Sequence, residues 1–277
     1  LSEDEEKTHF GIWAIMSSPL MIGCDLRTIP EKTLSIITNQ EVIALNQDSL
    51  GMQAEVIERG KDYLILSKTI QKREGKLRAV ALYNRSNVIK KIRVDFDKLY
   101  LSGKVQVRDL WNHQETGTFT EYYETLVPAH GTALIKLEGS KRHDRICYEA
   151  EYAFMQEYLP DNKQMAHFAY KAGASGDYIM KRLGNSPSNW AEFRKVYVSK
   201  GGEYQLKITY FSGDKRDIQI AVNESEYKQS GLCSGAWDQA AITTVKVKLH
   251  KGYNTIRLYN SNGWAPDIDK MEISKSR

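Results

Sequence analysis

Hydrophobic and polar positions change period twice along the chain. Up to about Gly51 the spacing is mainly helical. Ser2 followed by Glu5 reads as a capping box, and Glu3, Asp4, Glu5 and Glu6 place negative charge on the positive end of a helix dipole. Phe10, Trp13 and Ala14 then fall on one face, predicting a helix over 3–16. Pro19 ends it, because a residue preceding proline is pushed out of the α region. Leu20, Met21 and Ile22 form an apolar run closed by Gly23, which predicts a strand buried on both faces as in parallel sheets. Thr28 and Pro30 open a second helical stretch through Leu34 and Ile37. A buried strand needs neighbours on both edges, and the chain offers no second βα unit. Residues 1–50 are therefore expected to be the end of a larger α/β domain.

From Met52 to Glu138 the period shortens. DYLILSKTI, LRAVALYNRS, KKIRVDF, KVQVRDLW and GTALIKLE are short β-rich runs separated by turn residues. Alternation in Lys91–Phe96 and Val105–Val107 puts one face inward and one outward, which predicts an antiparallel β-sandwich with a solvated face over 51–139. A third unit over 144–275 repeats the pattern in YEAEYAFM, AEFRKVYV, GEYQLKITYF, RDIQIAVN, TTVKVKLH and YNTIRLYN, as expected for a β-sandwich or jelly roll. The fold class is thus multidomain and mostly β.

The 277 residues are enough for two or three cores, and 39 Lys+Arg against 35 Asp+Glu gives a net charge of only +4. That charge is too weak and dispersed to indicate nucleic acid. No apolar segment approaches the roughly 20 residues of a membrane span, so neither nucleic acid nor membrane is an expected partner. Lys141, Arg142, His143 and Arg145 read as a basic linker. Cys24, Cys147 and Cys233 are too scattered for a metal site or a disulfide framework, leaving either free thiols or one Cys147–Cys233 bridge.

HFGIWAIMSSPLMIGCDL and NQEVIALNQDSLG at 39–51 closely resemble the end of the catalytic barrel in family-27 glycoside hydrolases, the retaining α-galactosidases and their relatives. The likeness is dense over 1–51 and looser to about 139. It implies that helix 3–16 is the seventh barrel helix, Leu20–Gly23 the eighth strand and 31–46 the last helical stretch of a (β/α)8 barrel, followed by a non-catalytic sandwich. YEAE, GEYQLKITY…IQIAVN and GYNTIRLYNSNGWAPDIDKMEI resemble carbohydrate-binding modules of families 35 and 6. The resemblance implies a secreted or periplasmic protein, a galactose-containing oligo- or polysaccharide as ligand, and the missing N-terminal barrel segment as partner.

Retaining glycosidases need two carboxyls roughly 5–5.5 Å apart, carried in a barrel at the C-terminal ends of strands. Asp25 follows the predicted strand, but in the family pattern both catalytic aspartates come from earlier strands. Asp25 is expected to hold its loop through Arg27 or backbone N–H groups, Asp48 to act as a turn or cap residue, and His9 to pack. No catalytic residue is assigned within the chain. Glu149 and Glu151 stand two apart on a predicted strand, so their carboxylates share a face. With Asp269 from the last strand, they match the structural Ca²⁺ site of the resembled modules, a hard cation taking oxygen ligands; the alternative is exposed acids answering lysines. Sugar binding needs an apolar face to stack on a pyranose ring and polar groups for its hydroxyls. The loop Asn260–Asp267 supplies both in Asn262, Trp264 and Asp267, with Gly263 and Pro266 shaping the backbone. The resembled modules bind sugar through this loop. Asp267 stands where they often have asparagine, so it either reads hydroxyls or ligates metal. Trp237 is a further candidate, whereas Trp190, beside a strand, reads as core.

Two readings from different classes follow: the C-terminal portion of a family-27 enzyme, inactive alone, or a stand-alone sugar-binding protein on a scaffold. A relative acting on β-L-arabinopyranosides is a further variant, because the discriminating residues would lie upstream.

Overall fold

The computed structural model describes residues 1–155 and 165–276. They divide into two units, Leu1–His143 and Asp144–Arg277.

The first unit begins with α1 (Glu3–Ile15), started by the expected capping box: Glu5 N donates to Ser2 Oγ (3.3 Å) and Ser2 N to Glu5 Oε2 (2.7 Å). Of the expected face Phe10 and Ala14 reach the core but Trp13 does not. Ala14 and Ile15 are inaccessible and Gly11 is buried, whereas Trp13 is 44% exposed. The stretch 31–46 is two helices, α2 (Glu31–Ile37) and α3 (Gln40–Asn46). Asn39 separates them: its Oδ1 accepts from Glu41 N and Val42 N to cap α3, and its Nδ2 donates to Leu110 O (2.9 Å).

Leu20–Gly23, expected to be an interior barrel strand, is not a strand. It runs without regular structure, with Met21 86% and Ile22 59% exposed. The physical reason is the one that made the expectation conditional: an extended segment without a paired edge leaves its N–H and C=O groups to water, and nothing in the described residues pairs with it.

Eight antiparallel strands follow: β1 (Glu55–Arg59), β2 (Tyr63–Thr69), β3 (Leu77–Asn84), β4 (Lys90–Asp95), β5 (Leu101–Asp109), β6 (Gln114–Phe119), β7 (Tyr122–Val127) and β8 (Thr132–Arg142). A six-stranded sheet has the order β1-β2-β3-β8-β5-β6, and β4 pairs with β7 alone. Ile65, Val80, Leu82, Ile135 and Leu137 face Ile92, Val94 and Val127 of that pair. On the opposite face Leu66, Ala79, Ala81 and Leu134 pack with Ala14, Ile15, Val42 and Leu45 of the helices. The sheet centre is therefore covered on both sides, not solvated on one as expected, and this accounts for the unbroken apolar run in β3. Lys141 and Arg142, read as linker, complete β8 opposite Ser102 and Leu101.

The second unit contains β9 (Cys147–Glu149), β10 (Phe154–Met155), β11 (His167–Tyr170), β12 (Tyr178–Lys181), β13 (Ala191–Val198), β14 (Gly202–Phe211), β15 (Arg216–Val222), β16 (Ser225–Leu232), β17 (Ala240–Leu249), β18 (Gly252–Tyr259) and β19 (Asp267–Lys275). They form two antiparallel sheets, β10-β13-β18-β15-β16 and β11-β12-β19-β14-β17, with β9 added to β19. The core between them includes Phe193, Leu206, Ile208, Ile220, Val247, Leu258 and Met271. Edge strand β17 buries Val245, Val247 and Leu249 and turns Thr244, Lys246 and Lys248 outward; charged edges discourage pairing with another chain. The three cysteines are free thiols. No helix among the described residues is long and apolar enough to cross a membrane.

Candidate functional site

The second unit brings two of the expected acidic residues, Glu149 and Asp269, to one place. β9 pairs antiparallel with β19, Glu149 opposite Lys270. Along β19, Lys270 pairs Thr209 but Ile268 pairs Tyr210, so Asp269 is an extra, bulged residue. A bulge re-aims a side chain, and Asp267, Ile268 and Asp269 are all buried in a row instead of alternating. Asp269 Oδ1 accepts from Ser175 N (2.9 Å) while Glu149 Oε1 accepts from Ser175 Oγ (2.8 Å), so Ser175 bridges the two carboxylates.

Glu151 arrives by a route different from the expected strand alternation. β9 ends at Glu149, and a 3₁₀ turn over Ala150–Tyr152 carries Glu151 toward Gly176. A Cβ at Gly176 would sit 2.5 Å from Glu151 Oε1 and would displace that carboxylate, and its φ of +65° independently favours glycine. Burial, helped by the charge of Glu149, pushes the Asp269 carboxyl up to about 6. Burial likewise pushes the Cys147 thiol up to about 12, which disfavours its thiolate. Glu149 Oε2 is buried with no hydrogen-bond partner among the described residues. No three His, Cys, Asp or Glu side chains among the described residues are grouped so as to hold a metal ion as they stand; Ser175 occupies the bridging position.

A second cluster surrounds the tryptophans. Trp264 is half-buried and bridges Gly184, while Asn185 N donates to Gly263 O (2.7 Å). The Arg182 guanidinium lies 5.3 Å from the centre of the Trp264 ring, on a backbone with φ +58°. Asn262 is exposed, its N donating to Asn260 Oδ1 (3.2 Å). Asp267 is only 4% exposed and lies 3.5 Å from Lys181 Nζ. Burial raises its pKa, opposed by the charges of Lys181, Arg216 and Arg182. Trp237 is 42% exposed, with Arg216 4.4 Å over its ring and Lys171 Nζ donating to its carbonyl (2.9 Å). Trp190 is buried as expected, between Phe154 and Arg257.

Sequence reasoning missed Ser175, Lys181, Arg182 and Arg216. Only Arg216 carried a local signal: Asp214 and Arg216, two apart, share a face on extended chain and pair at 2.7 Å. In the first unit Asp25 forms the expected bidentate pair with Arg27, Nε to Oδ1 at 3.0 Å and Nη2 to Oδ2 at 2.7 Å, and its pKa is lowered by that contact. Asp48 accepts from Leu50 N and Gln71 N as a turn residue. His9 packs edge-on against Trp13 at 5.4 Å.

Residues 1–48 match the family model for alpha galactosidase A, and residues 61–137 the model for the alpha galactosidase C-terminal beta sandwich domain. A probable alpha-galactosidase of Dictyostelium discoideum is 36% identical over 143 residues, covering 50% of this chain and 36% of its own length. Alpha-galactosidase A of Cellvibrio japonicus is 35% identical over 150 residues, covering 50% of this chain and 36% of its own length. The chain thus spans about a third of the length of these curated relatives. The isomalto-dextranase of Arthrobacter globiformis T6, solved with panose, shares the fold over 99% of this chain and 48% of its own at TM-score 0.56 and 22% identity. The two matched segments lie on the helices and the β-sandwich of the first unit, so over residues 1–137 the chain is similar to the C-terminal portion of α-galactosidases.

Proposed function

We propose that the chain is the C-terminal portion of a retaining exo-α-galactosidase that removes terminal α-galactose, and that its second unit is a sugar-binding module of that enzyme. The observation that carries the enzyme reading is the pair of family matches laid end to end on α1–α3 and on the β-sandwich. The catalytic carboxyls reside on barrel strands outside residues 1–277, and those strands are the partner of the exposed Leu20–Leu26 segment. Asp25, committed to Arg27, stays ionised and does not act as acid or nucleophile. The test is hydrolysis of a nitrophenyl α-galactoside by the purified chain. No turnover is expected, and turnover abolished by Asp25→Asn would overturn the reading. Export from the cytoplasm belongs to the same proposal.

In the sugar-binding module, Trp264 and Trp237 supply stacking faces and Asn262 a polar contact at the loop tip. Asp267, buried beside Lys181, anchors the loop. Titration with galactosides should lose most of its affinity in Trp264→Ala, and retained affinity removes this reading. Glu149, Glu151 and Asp269 hold Ca²⁺ in the same module. The buried, unpartnered Glu149 Oε2 supports this, since it is a carboxylate oxygen lacking compensation for burial. A bound cation would supply that compensation and tie β9, β19 and the Ser175 turn together.

A further inference from the structure

Trp237 and Trp264 belong to separate loops, and one side chain touches both. Arg216 Nη1 donates to Ala265 O (3.1 Å), next to Trp264, while its Cζ lies 4.4 Å over the Trp237 ring. Its Nε donates to Asp214 Oδ1 (2.7 Å), and the side chain is only 17% exposed. Each loop is also fixed at its own root. Ser234 N donates to Ser212 O and Ser212 N to Ser234 Oγ, both at 2.8 Å. A Cβ at Gly213 would lie 2.6 Å from the Trp237 ring, so the indole rests directly on backbone there. On the other side Arg182 lies over Trp264, and Lys181 lies 3.5 Å from Asp267.

Resting on the sugar-binding reading above, we propose that the two tryptophan loops form one site and that Arg216 is its positioning residue. The guanidinium is a rigid plate. Its face meets an indole, one edge meets a carbonyl and the other a carboxylate, so the three contacts fix the loops relative to each other. A ligand spanning both rings then meets them already aligned and loses less freedom on binding. A lysine keeps the charge beside Asp214 and Asp267 but cannot make the stacked and forked contacts together.

The test uses the full chain with raffinose as probe, reading affinity by tryptophan fluorescence and loop position by the indole Nε1–H NMR signals, with thermal unfolding as a fold control. Loosening the two loops restores the ordering cost of binding, which predicts about a tenfold weaker raffinose affinity in Arg216→Ala. Arg216→Lys, which keeps the charge and the fold, should fail to restore it. The Trp237 and Trp264 signals should both move in Arg216→Ala while that of Trp190 stays. Wild-type chain that binds no raffinose sinks the sugar-binding reading and the shared site with it. Raffinose binding that survives unchanged in Arg216→Ala, or a shift confined to Trp237, sinks the role of Arg216 alone.

Discussion

Arg108 of β5 holds Glu41 of α3 by two parallel hydrogen bonds, Nε to Oε2 and Nη2 to Oε1, each 2.7 Å. His113 Nδ1 adds a third contact to Glu41 Oε1 at 2.8 Å. This fork joins the last helix to the sandwich, and it lowers the Glu41 pKa to about 2, Arg108 being the largest cause. The folded pKa lies below the unfolded one, so the stabilisation is full above about pH 4.5 and fades as pH falls toward 2. Glu41→Gln should cost about 2 kcal/mol near neutral pH, between the values for exposed and buried pairs. Thermal melts of both proteins should differ at neutral pH and converge near pH 2; a gap that persists there would show the fork is not the source.

Gly11 sits inside α1, where alanine would ordinarily gain up to about 1 kcal/mol in helix propensity. Here a Cβ would lie 2.9 Å from Trp111 Cζ2. That ring is held by its own bond, Nε1 to Thr132 O at 3.0 Å, and cannot swing aside cheaply. Gly11→Ala should therefore destabilise by about 1–2 kcal/mol through overpacking. Urea unfolding that shows a gain instead would mean the ring yields.

Met21, Ile22 and Leu26 are 86%, 59% and 59% exposed. Exposed side chains contribute little to folding, so Met21→Lys with Ile22→Lys should change stability by under about 0.5 kcal/mol per site. The same change should reduce self-association, because a contiguous exposed apolar surface promotes contact between copies. Light scattering and a thermal melt read the two effects; a clear loss of Tm would show that the segment packs.

If Ca²⁺ sits among Glu149, Glu151 and Asp269, a chelator should lower Tm, by an amount corresponding to about 2.7 kcal/mol when the ion stands at 100 times its Kd. Asp269→Asn should abolish that sensitivity. A chelator-insensitive wild type means that Ser175 alone bridges the carboxylates.

Local rules carried much of the architecture. The Ser2–Glu5 box, the strands β2, β3, β4, β5 and β8, and most strands of the second unit were legible because each depends on residues a few positions apart. Strands β1, β6 and β7 were not: β6 is almost wholly exposed and shows no apolar alternation to read. In the candidate site Trp264, Trp237, Glu149 and Asp269 were legible as residue types in a recognisable order. Ser175, Lys181 and Arg182 were not, and Arg216 showed only its spacing from Asp214, because serine, lysine and arginine carry little signal until a partner is placed beside them.

By itself the sequence determined what periodicity and motif encode: helices then two β-sandwiches, the likeness of the first unit to α-galactosidases, and Asp25 paired with Arg27. Tertiary structure decided the rest. It left Leu20–Gly23 unpaired, since hydrogen bonding in a strand belongs to its neighbours. It broke 31–46 at Asn39, whose side chain bonds a carbonyl 71 positions away. It also brought Arg216 to both tryptophan loops, because distances between segments remote in sequence are set only when the sheets pack.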